Sequence, residues 1–432
     1  MEDGTGHAEK MLGLDGVKVL HVDERPGELV VTAETTKRIA YCPSCRKRAK
    51  PHDRTEVHVR DLHCFGRPVR LILRKRRWRC KTKGCVRKTW TEKIAGTVPR
   101  QLLTQRAGAE VTRQVGQLCR SVASVALEYG VGWDTVMAAV VRHGTPLVDD
   151  PKRVGVVRAL GVDEHSYLAA TPTHQTIYAT SLVDLDRRRV IDLFEGKSAQ
   201  KLRNWTAGRS KRWLSSVKVV ALDLTDTYRS GLHPHLSHAR RVADPFHVVR
   251  VGNRMVDEVR RRVQNETMGH RGRKDDPLYR ARKLLIRGDE RLDERGRAKL
   301  MEALRRGDPF DEVVGAWLAK EACRSIYMQD DVEEATAILD DTIAGCLEDT
   351  VAEIRTFGRT LFRWREEILN HHRTGASNGP TEGANFCAKQ VKRAGRGFSR
   401  FSHYRLRVLL YAGGVTWPRP IQAPRITSTC PH

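Results

Sequence analysis

Apolar positions recur along this chain in three rhythms, and the changes of rhythm mark out its parts. Between residues 16 and 32, VKVLHV and ELVVTAE read as short strand-like pieces about a Pro26-Gly27 turn. From 102 to about 144 the period becomes helical. Val111, Val115 and Leu118 share one face; Val122, Val125 and Ala126 a second; Trp133, Val136, Met137 and Val140 a third. Tyr129-Gly130-Val131-Gly132 separates the last two, so a helix-turn-helix is expected, with Trp133 to His143 as the helix offered to a DNA groove and Arg142 and His143 near its exposed end.

After Asp149-Asp150-Pro151, read as a linker, VGVVRALGV, TIYATSLVDL and RRRVIDLFEG predict three consecutive strands. A helical stretch (AQKLRNWTAGRSKRWLSS), the strand VKVVALDL, a helix from Thr227 and then ARRVADPFHVV complete the order β-β-β-α-β-α-β-α. Residues 252–375 carry almost no strand signal and are rich in Leu, Ala, Glu and Arg, as expected of an inserted all-α block. A Gly/Asn/Pro break at 375–380 precedes one more basic helix, and the Pro-rich tail from 413 is expected to be disordered. The expected division is therefore a zinc-binding DNA-binding domain (1–98), a helix-turn-helix domain (99–150), an α/β core in two parts (151–251 and 376–412) around the insertion, and a tail (413–432).

Composition narrows the class. Lys plus Arg number 78 against 52 acids in 432 residues, a formal charge of +26, so a polyanion is the first partner to consider. Hydrophobic residues at 40% exclude wholesale disorder. No apolar run approaches the ~20 residues of a membrane helix, and MEDGTGHAEK is unlike a secretory leader, so a cytoplasmic protein without membrane contact is expected.

Five of the ten cysteines fall within 44 residues. Cys42-Pro-Ser-Cys45 and Cys80-Lys-Thr-Lys-Gly-Cys85 form two knuckles 34 residues apart, the pattern of a closed tetrahedral structural zinc site. Cys64 has no partner at suitable spacing and reads as a core thiol. Just before the second knuckle, Arg70, Arg74, Lys75, Arg76, Arg77 and Arg79 surround Trp78. Such a run can be only a solvated face, but its position beside the knuckle favours contact with DNA phosphates.

Three carboxylates carry the expected chemistry. Asp163 follows the first strand of the core and Asp223 ends the fourth. In a ribonuclease H-like (RNase H-like) sheet those strands are parallel neighbours, which brings the two side chains together. Paired carboxylates repel and raise each other's pKa unless divalent cations lie between them, and their hard oxygens suit Mg²⁺ or Mn²⁺. The third is Glu382 in SNGPTEGAN, where Pro380 suits the first helical position. Asn385, Phe386, Lys389 and Arg393 then project from roughly its face, with Lys392 and Arg396 as further DNA-contact candidates.

CPSC, RRWRC…C, LGVDEHS, ALDLTDTYR, VADPFHVVR and SNGPTEGANFCAKQVKRAGRGFSRF with YRLRVLL occur in that order. In them the chain resembles bacterial insertion-sequence transposases of the Asp-Asp-Glu type, in the ISL-three family. The resemblance implies an RNase H-like catalytic core interrupted by an all-α insertion, preceded by a zinc-binding domain and a helix-turn-helix that bind the element's terminal inverted repeats. It assigns Asp163, Asp223 and Glu382 to the catalytic metal positions, and Asp244 and His247 to a supporting Cys/Asp-x-x-His signature; Asn385 is a further supporting candidate. Pro245 departs from the basic residue expected there, which puts a DNA contact at that position in doubt. The implied partners are double-stranded DNA, both repeat ends and target, and further copies of the chain on paired ends. An inactive zinc-containing regulator and a structure-selective nuclease are the competing expectations.

Overall fold

The computed structural model describes residues 5–418. They form two compact units: residues up to 153 together with those from 387 onward, and residues Val154–Phe386. In the first unit, α1 (Thr5–Leu12) precedes β1 (Val17–Arg25), β2 (Glu28–Thr35), β3 (Lys50–Cys64), β4 (Arg67–Arg79) and β5 (Thr89–Thr91). Their sheet has the order β1-β2-β4-β3, with β5 alongside β4. The long β3–β4 hairpin is absent from the sequence reading, because cations conceal its alternation. Val69, Leu71 and Leu73 point into the core while the intervening positions are less buried.

Next come α2 (Gln105–Gly116), α3 (Val122–Tyr129) and α4 (Trp133–Val148). Ser121 caps α3, and Gly130 ends it in the left-handed region at φ 59°, which makes the sharp turn into α4. Val136, Met137 and Val140 are buried as the helical period requires. Leu118 lies beyond the end of α2 and is exposed, and α4 continues four residues past Gly144.

A helical turn, α5 (Pro151–Val154), leads to β6 (Ala159–Leu168), β7 (Ile177–Asp184) and β8 (Arg189–Glu195), then α6 (Ala199–Ala207), α7 (Lys211–Ser216), β9 (Val219–Leu222), α8 (Asp226–Leu236) and β10 (Arg240–Ala243). The one helix expected over 199–216 is two, because Ser210 caps a new start at Lys211. The mixed sheet has the order β10-β9-β6-β7-β8. β6, β7 and β8 are antiparallel, whereas β9 runs parallel to β6, and β10 to β9.

From α9 (Pro245–Met268) the unit is helical: α10 (Pro277–Leu285), α11 (Glu294–Gly307), α12 (Glu312–Ile326), α13 (Val332–Glu348), α14 (Ala352–Arg363) and α15 (Arg365–Thr374). α9 runs unbroken through 252, where the insertion was expected to begin, so sheet and helical block share a continuous element. At the block's far end α15 returns to β10. Its buried Glu367 pairs with Arg229 and Arg241, and Asn370 Nδ2 donates to the Arg241 carbonyl at 3.0 Å. That return delivers the chain to α16 (Gly379–Gly395).

The boundary between the units falls within α16, and α17 (Phe401–Ala412) belongs to the first unit. The segment 376–412, expected as the closing part of the core, is thus divided. Leu410 explains the far portion: Cβ atoms on Gly116 of α2 or Gly144 of α4 would sit 3.0 and 2.8 Å from its side chain, so the helices meet at glycines. Of the expected tail, 419–432 lie outside the described residues. Gly413 is buried, and its carbonyl accepts from Arg153 at 3.2 Å.

Candidate functional site

β6 and β9 pair from Ala159↔Val219 to Val162↔Leu222, so Asp163 and Asp223 are the next residues of adjacent parallel strands. Carboxylate oxygens of Asp163, Asp223 and Glu164 lie within 4.8 Å of one another. Burial, together with the Asp223 charge, pushes Asp163 up to about 7. Asp223 Oδ2 lies 2.9 Å from His247 Nε2, while its Oδ1 is buried without a hydrogen-bond partner. Pressed-together carboxylates and an orphaned buried oxygen call for positive charge, and an all-oxygen donor set fits a hard divalent cation.

His247 joins this pair to a second group. Its Nδ1 lies 3.0 Å from Asp244 Oδ2, and Glu382 presents its carboxylate within 4.8 Å of both. Burial disfavours the imidazolium, but the bonds to Asp223 and Asp244 carry His247 up to about 10, and both ring nitrogens donate. Asp244 caps α9, accepting the His247 amide, with Pro245 in the first turn where its missing N–H costs nothing. Pro245 therefore fits the helix start without cost.

Glu382 stands in the first turn of α16, and this end of the helix is fixed by three polar ties. Buried Asn378 donates its amide to Asp244 Oδ1 at 2.9 Å and its Nδ2 to the Val162 carbonyl at 3.2 Å. One turn past Glu382, Asn385 donates from Nδ2 to Asp163 Oδ2 at 2.7 Å. Its Oδ1 accepts from Ser181 Oγ at 2.7 Å and meets His165 Nδ1 at 3.0 Å. Gly161 permits the approach: a Cβ there would overlap Thr381 Oγ1 and stand 2.9 Å from Asn378 Oδ1.

Asp163 and Asp223 are thus direct neighbours, whereas Glu382 is grouped with Asp244 and His247. Sequence reasoning missed Glu164, His165, Ser181, Tyr228 and Asn378. Glu164 sits in LGVDEHS itself and takes a hydrogen bond from Tyr228. Period 2 puts His165 on Asp163's face. Ser181 is legible only from the β6–β7 register, where it faces Asp163.

In the first unit, the Sγ atoms of Cys42, Cys45, Cys80 and Cys85 lie within 4.8 Å of one another. Cys42 and Cys85 are 3.7 Å apart, Cys45 and Cys80 3.6 Å. The Lys47 amide and the Thr82 hydroxyl draw Cys45 down to about 6, toward the thiolate that metals bind. The cluster is consistent with structural zinc.

Two family models match. One, described as "Transposase", covers residues 160–408, more than half of the chain, and the other, a zinc-finger of transposase IS204/IS1001/IS1096/IS1165, covers 40–85. The chain belongs to the ISL3 family of transposases. It is an Asp-Asp-Glu type transposase with an N-terminal zinc ribbon. The chain is similar to the transposase for insertion sequence element IS1001 of Bordetella parapertussis, 26% identical over 402 residues covering 91% of this chain and 94% of that one. It is also similar to the transposase for insertion sequence element IS1557 of two Mycobacterium tuberculosis strains, 26% identical over 291 residues, 62% of this chain and 63% of theirs.

The basic candidates of this transposase are unequal. Lys75 is buried with Nζ 3.4 Å from the Thr97 hydroxyl, and burial pulls its ammonium below the ordinary lysine range. Arg74 pairs with Glu56 and Arg77 with Asp53, and Arg76 lies over the Trp78 ring, while Arg79 is exposed. Arg142, Lys389, Arg393 and Arg396 are exposed and Lys392 half-buried. Asn385 and Phe386, expected on Glu382's face, diverge: Asn385 turns inward under Asp163 and Phe386 is exposed. Among the described residues no helix is long and apolar enough to cross a membrane.

Proposed function

We propose that the chain cuts DNA at the terminal inverted repeats of its own insertion sequence and joins the freed 3′-hydroxyls to target DNA. The observation that carries this is the convergence of Asp163, within β6, and Asp223, just past the end of the parallel neighbour β9, with Glu382 brought to His247 by α16. The order β10-β9-β6-β7-β8, with one antiparallel half and one parallel half, supports an RNase H-like core with the helical block inserted before α16.

In this reading Asp163, Asp223 and Glu382 hold Mg²⁺ or Mn²⁺. When bound, such a cation supplies Lewis acidity toward the attacking and leaving oxygens. Asn385 fixes the Asp163 carboxylate, His247 fixes Asp223, and Asp244 fixes His247, so the acids need little reorganisation. In the first step a water oxygen attacks phosphorus and the P–O3′ bond breaks, releasing a 3′-hydroxyl. In the second, that hydroxyl oxygen attacks a target phosphodiester, whose own O3′ leaves; each step forms one P–O bond and breaks one. The zinc ribbon and the α3–α4 pair read the repeats, and two or more copies hold paired ends.

The test is strand cleavage and joining on labelled repeat-end DNA, with a gel shift of the same samples. Asp163→Asn, Asp223→Asn and Glu382→Gln should each lower cleavage on the order of 10²-fold or more and leave repeat binding within a few-fold, because the three act as a unit. Repeat binding with no cleavage in any divalent metal would indicate a regulator, and cleavage without joining a nuclease. Wild-type-like cleavage by Glu382→Gln would overturn the assignment of that residue.

A further inference from the structure

The first unit carries a cleft of about 440 Å³ that the carboxylate chemistry does not use. It lies between the N-terminal turn of α3, the start of α4 and the segment joining α16 to α17. No Asp or Glu lines it, whereas Arg396, Arg400, His403 and Arg407 do. Arg396 and Arg400 are exposed and make no ion pair among the described residues.

Arg407 is the unusual member. It is 2% exposed, lies 5.3 Å over the Phe398 ring and donates from Nη2 to the Arg120 carbonyl at 3.0 Å. Among the described residues it has no carboxylate partner, and its Nε is buried without a hydrogen-bond partner. A guanidinium cannot escape burial by losing its proton at ordinary pH, so an uncompensated one implies an anion that arrives from outside. The first turn of α3, Ser121 to Ser124, lines the same cleft, with the Ser124 N–H already taken by the Ser121 cap.

The rest of the lining is wrong for a bare anion. Trp133 is 46% exposed and Leu127 84%, with Met137 behind them. The Trp133 and His403 rings stand 6.3 Å apart and tilted by 42°, so they do not stack on each other and Trp133 can receive a third ring. Flat aromatic surface beside unpaired arginines is the chemistry of a nucleotide whose base has left the duplex stack.

We propose that this cleft binds one unpaired nucleotide of a DNA strand, its phosphate held by Arg407 and Arg400 and its base stacked on Trp133. This rests on the reading that the chain handles element-end DNA, but not on which carboxylates cut it.

The experiment uses full-length protein carrying Asp163→Asn to suppress cleavage, and repeat-end DNA in which 2-aminopurine is moved one position at a time through the terminal nucleotides. One position should lose fluorescence strongly on binding. Trp133→Ala should abolish that quenching and Trp133→Phe restore part of it. Arg400→Ala should lower the slope of log affinity against log salt by about 1. Arg407→Gln should weaken binding ~10-fold with native circular dichroism; where it fails to fold, the two exposed positions, Trp133 and Arg400, carry the decision. Quenching that survives Trp133→Ala, or no quenched position at all, overturns the proposal, and so does displacement of the quenched DNA by millimolar inorganic phosphate alone. Because the readout is base quenching and not strand cleavage, its presence or absence does not depend on which carboxylates cut, and this separates the proposal from the catalytic one.

Discussion

Asn385 Nδ2 lies 2.7 Å from Asp163 Oδ2, so the helix that presents Glu382 is tied directly to the strand that presents Asp163. The same amide's oxygen takes Ser181 and meets His165, so its donor and acceptor atoms both engage β6 and β7. Asn385→Ala should lower cleavage ~10–100-fold, as the loss of partners that orient a metal ligand does. It should also cost about 1–3 kcal/mol of stability, because buried Ser181 and His165 lose an acceptor. Cleavage kinetics and a denaturant melt of the same sample check both numbers.

Gly161 offers a steric test of the same junction. A Cβ at this position would overlap Thr381 Oγ1, stand 2.6 Å from Leu185 Cδ2 and 2.9 Å from Asn378 Oδ1. Gly161→Ala should therefore destabilise by about 1–3 kcal/mol and reduce cleavage by displacing the start of α16. Adding Thr381→Ala removes the worst overlap and should recover part of the loss. Full activity in Gly161→Ala would mean that the helix start tolerates a shift.

How much of this was legible in the sequence depends on the range of each signal. The cysteine knuckles, the two aspartates and the Gly130 turn are local patterns; the knuckles and the turn lie where the pattern indicated, whereas Asp163, expected just after its strand, lies within β6, which runs on to Leu168. The ties through Asn378 and Ser181 are not local: they join residues 216 and 204 positions apart, and only the β6–β7 register and the return of α15 bring them together. The basic run misled for a different reason. Residue type announced charge, but strand alternation decided burial, and Lys75 falls on the inward side with Leu71 and Leu73.

That alternation gives a direct comparison. Lys75→Gln should change repeat affinity less than 2-fold, since the ammonium is enclosed and faces Thr97. Arg79→Gln should weaken binding and reduce the salt slope by about 1, the signature of a lost phosphate contact. Gel shifts at three or more salt concentrations distinguish the two; equal slopes for both variants would remove Arg79 from the DNA surface.

The four thiols predict a metal content as well as a fold. Purified protein should carry about one zinc per chain by elemental analysis. Cys80→Ser, or a strong chelator, should release it, expose the zinc ribbon to protease and abolish repeat binding, because metal binding and folding of such modules are linked. Normal repeat binding by a zinc-free chain would make the cluster dispensable for that function.

The last prediction reads cation binding without chemistry. Asp163 and Asp223 face each other with Asp223 Oδ1 lacking a partner, so a cation that enters should relieve repulsion and stabilise the fold. At about 100 times its dissociation constant a ligand of the native state contributes ~2.7 kcal/mol, and for a unit of this size each kcal/mol raises the midpoint by ~2–4 °C. Mg²⁺ or Mn²⁺ should therefore raise the Tm of the second unit by several degrees in the absence of DNA. Ca²⁺ should do so too while failing to support cleavage, because its larger and looser coordination shell holds reacting oxygens poorly in line. Asp223→Asn removes the orphaned carboxylate's charge and should abolish the shift, and Glu382→Gln should reduce it. Thermal melts across a metal titration give the result directly. An undiminished rise in both variants would locate the cation elsewhere, whereas a rise lost in Asp223→Asn and kept in Glu382→Gln would show that Glu382 joins the site only when DNA is bound.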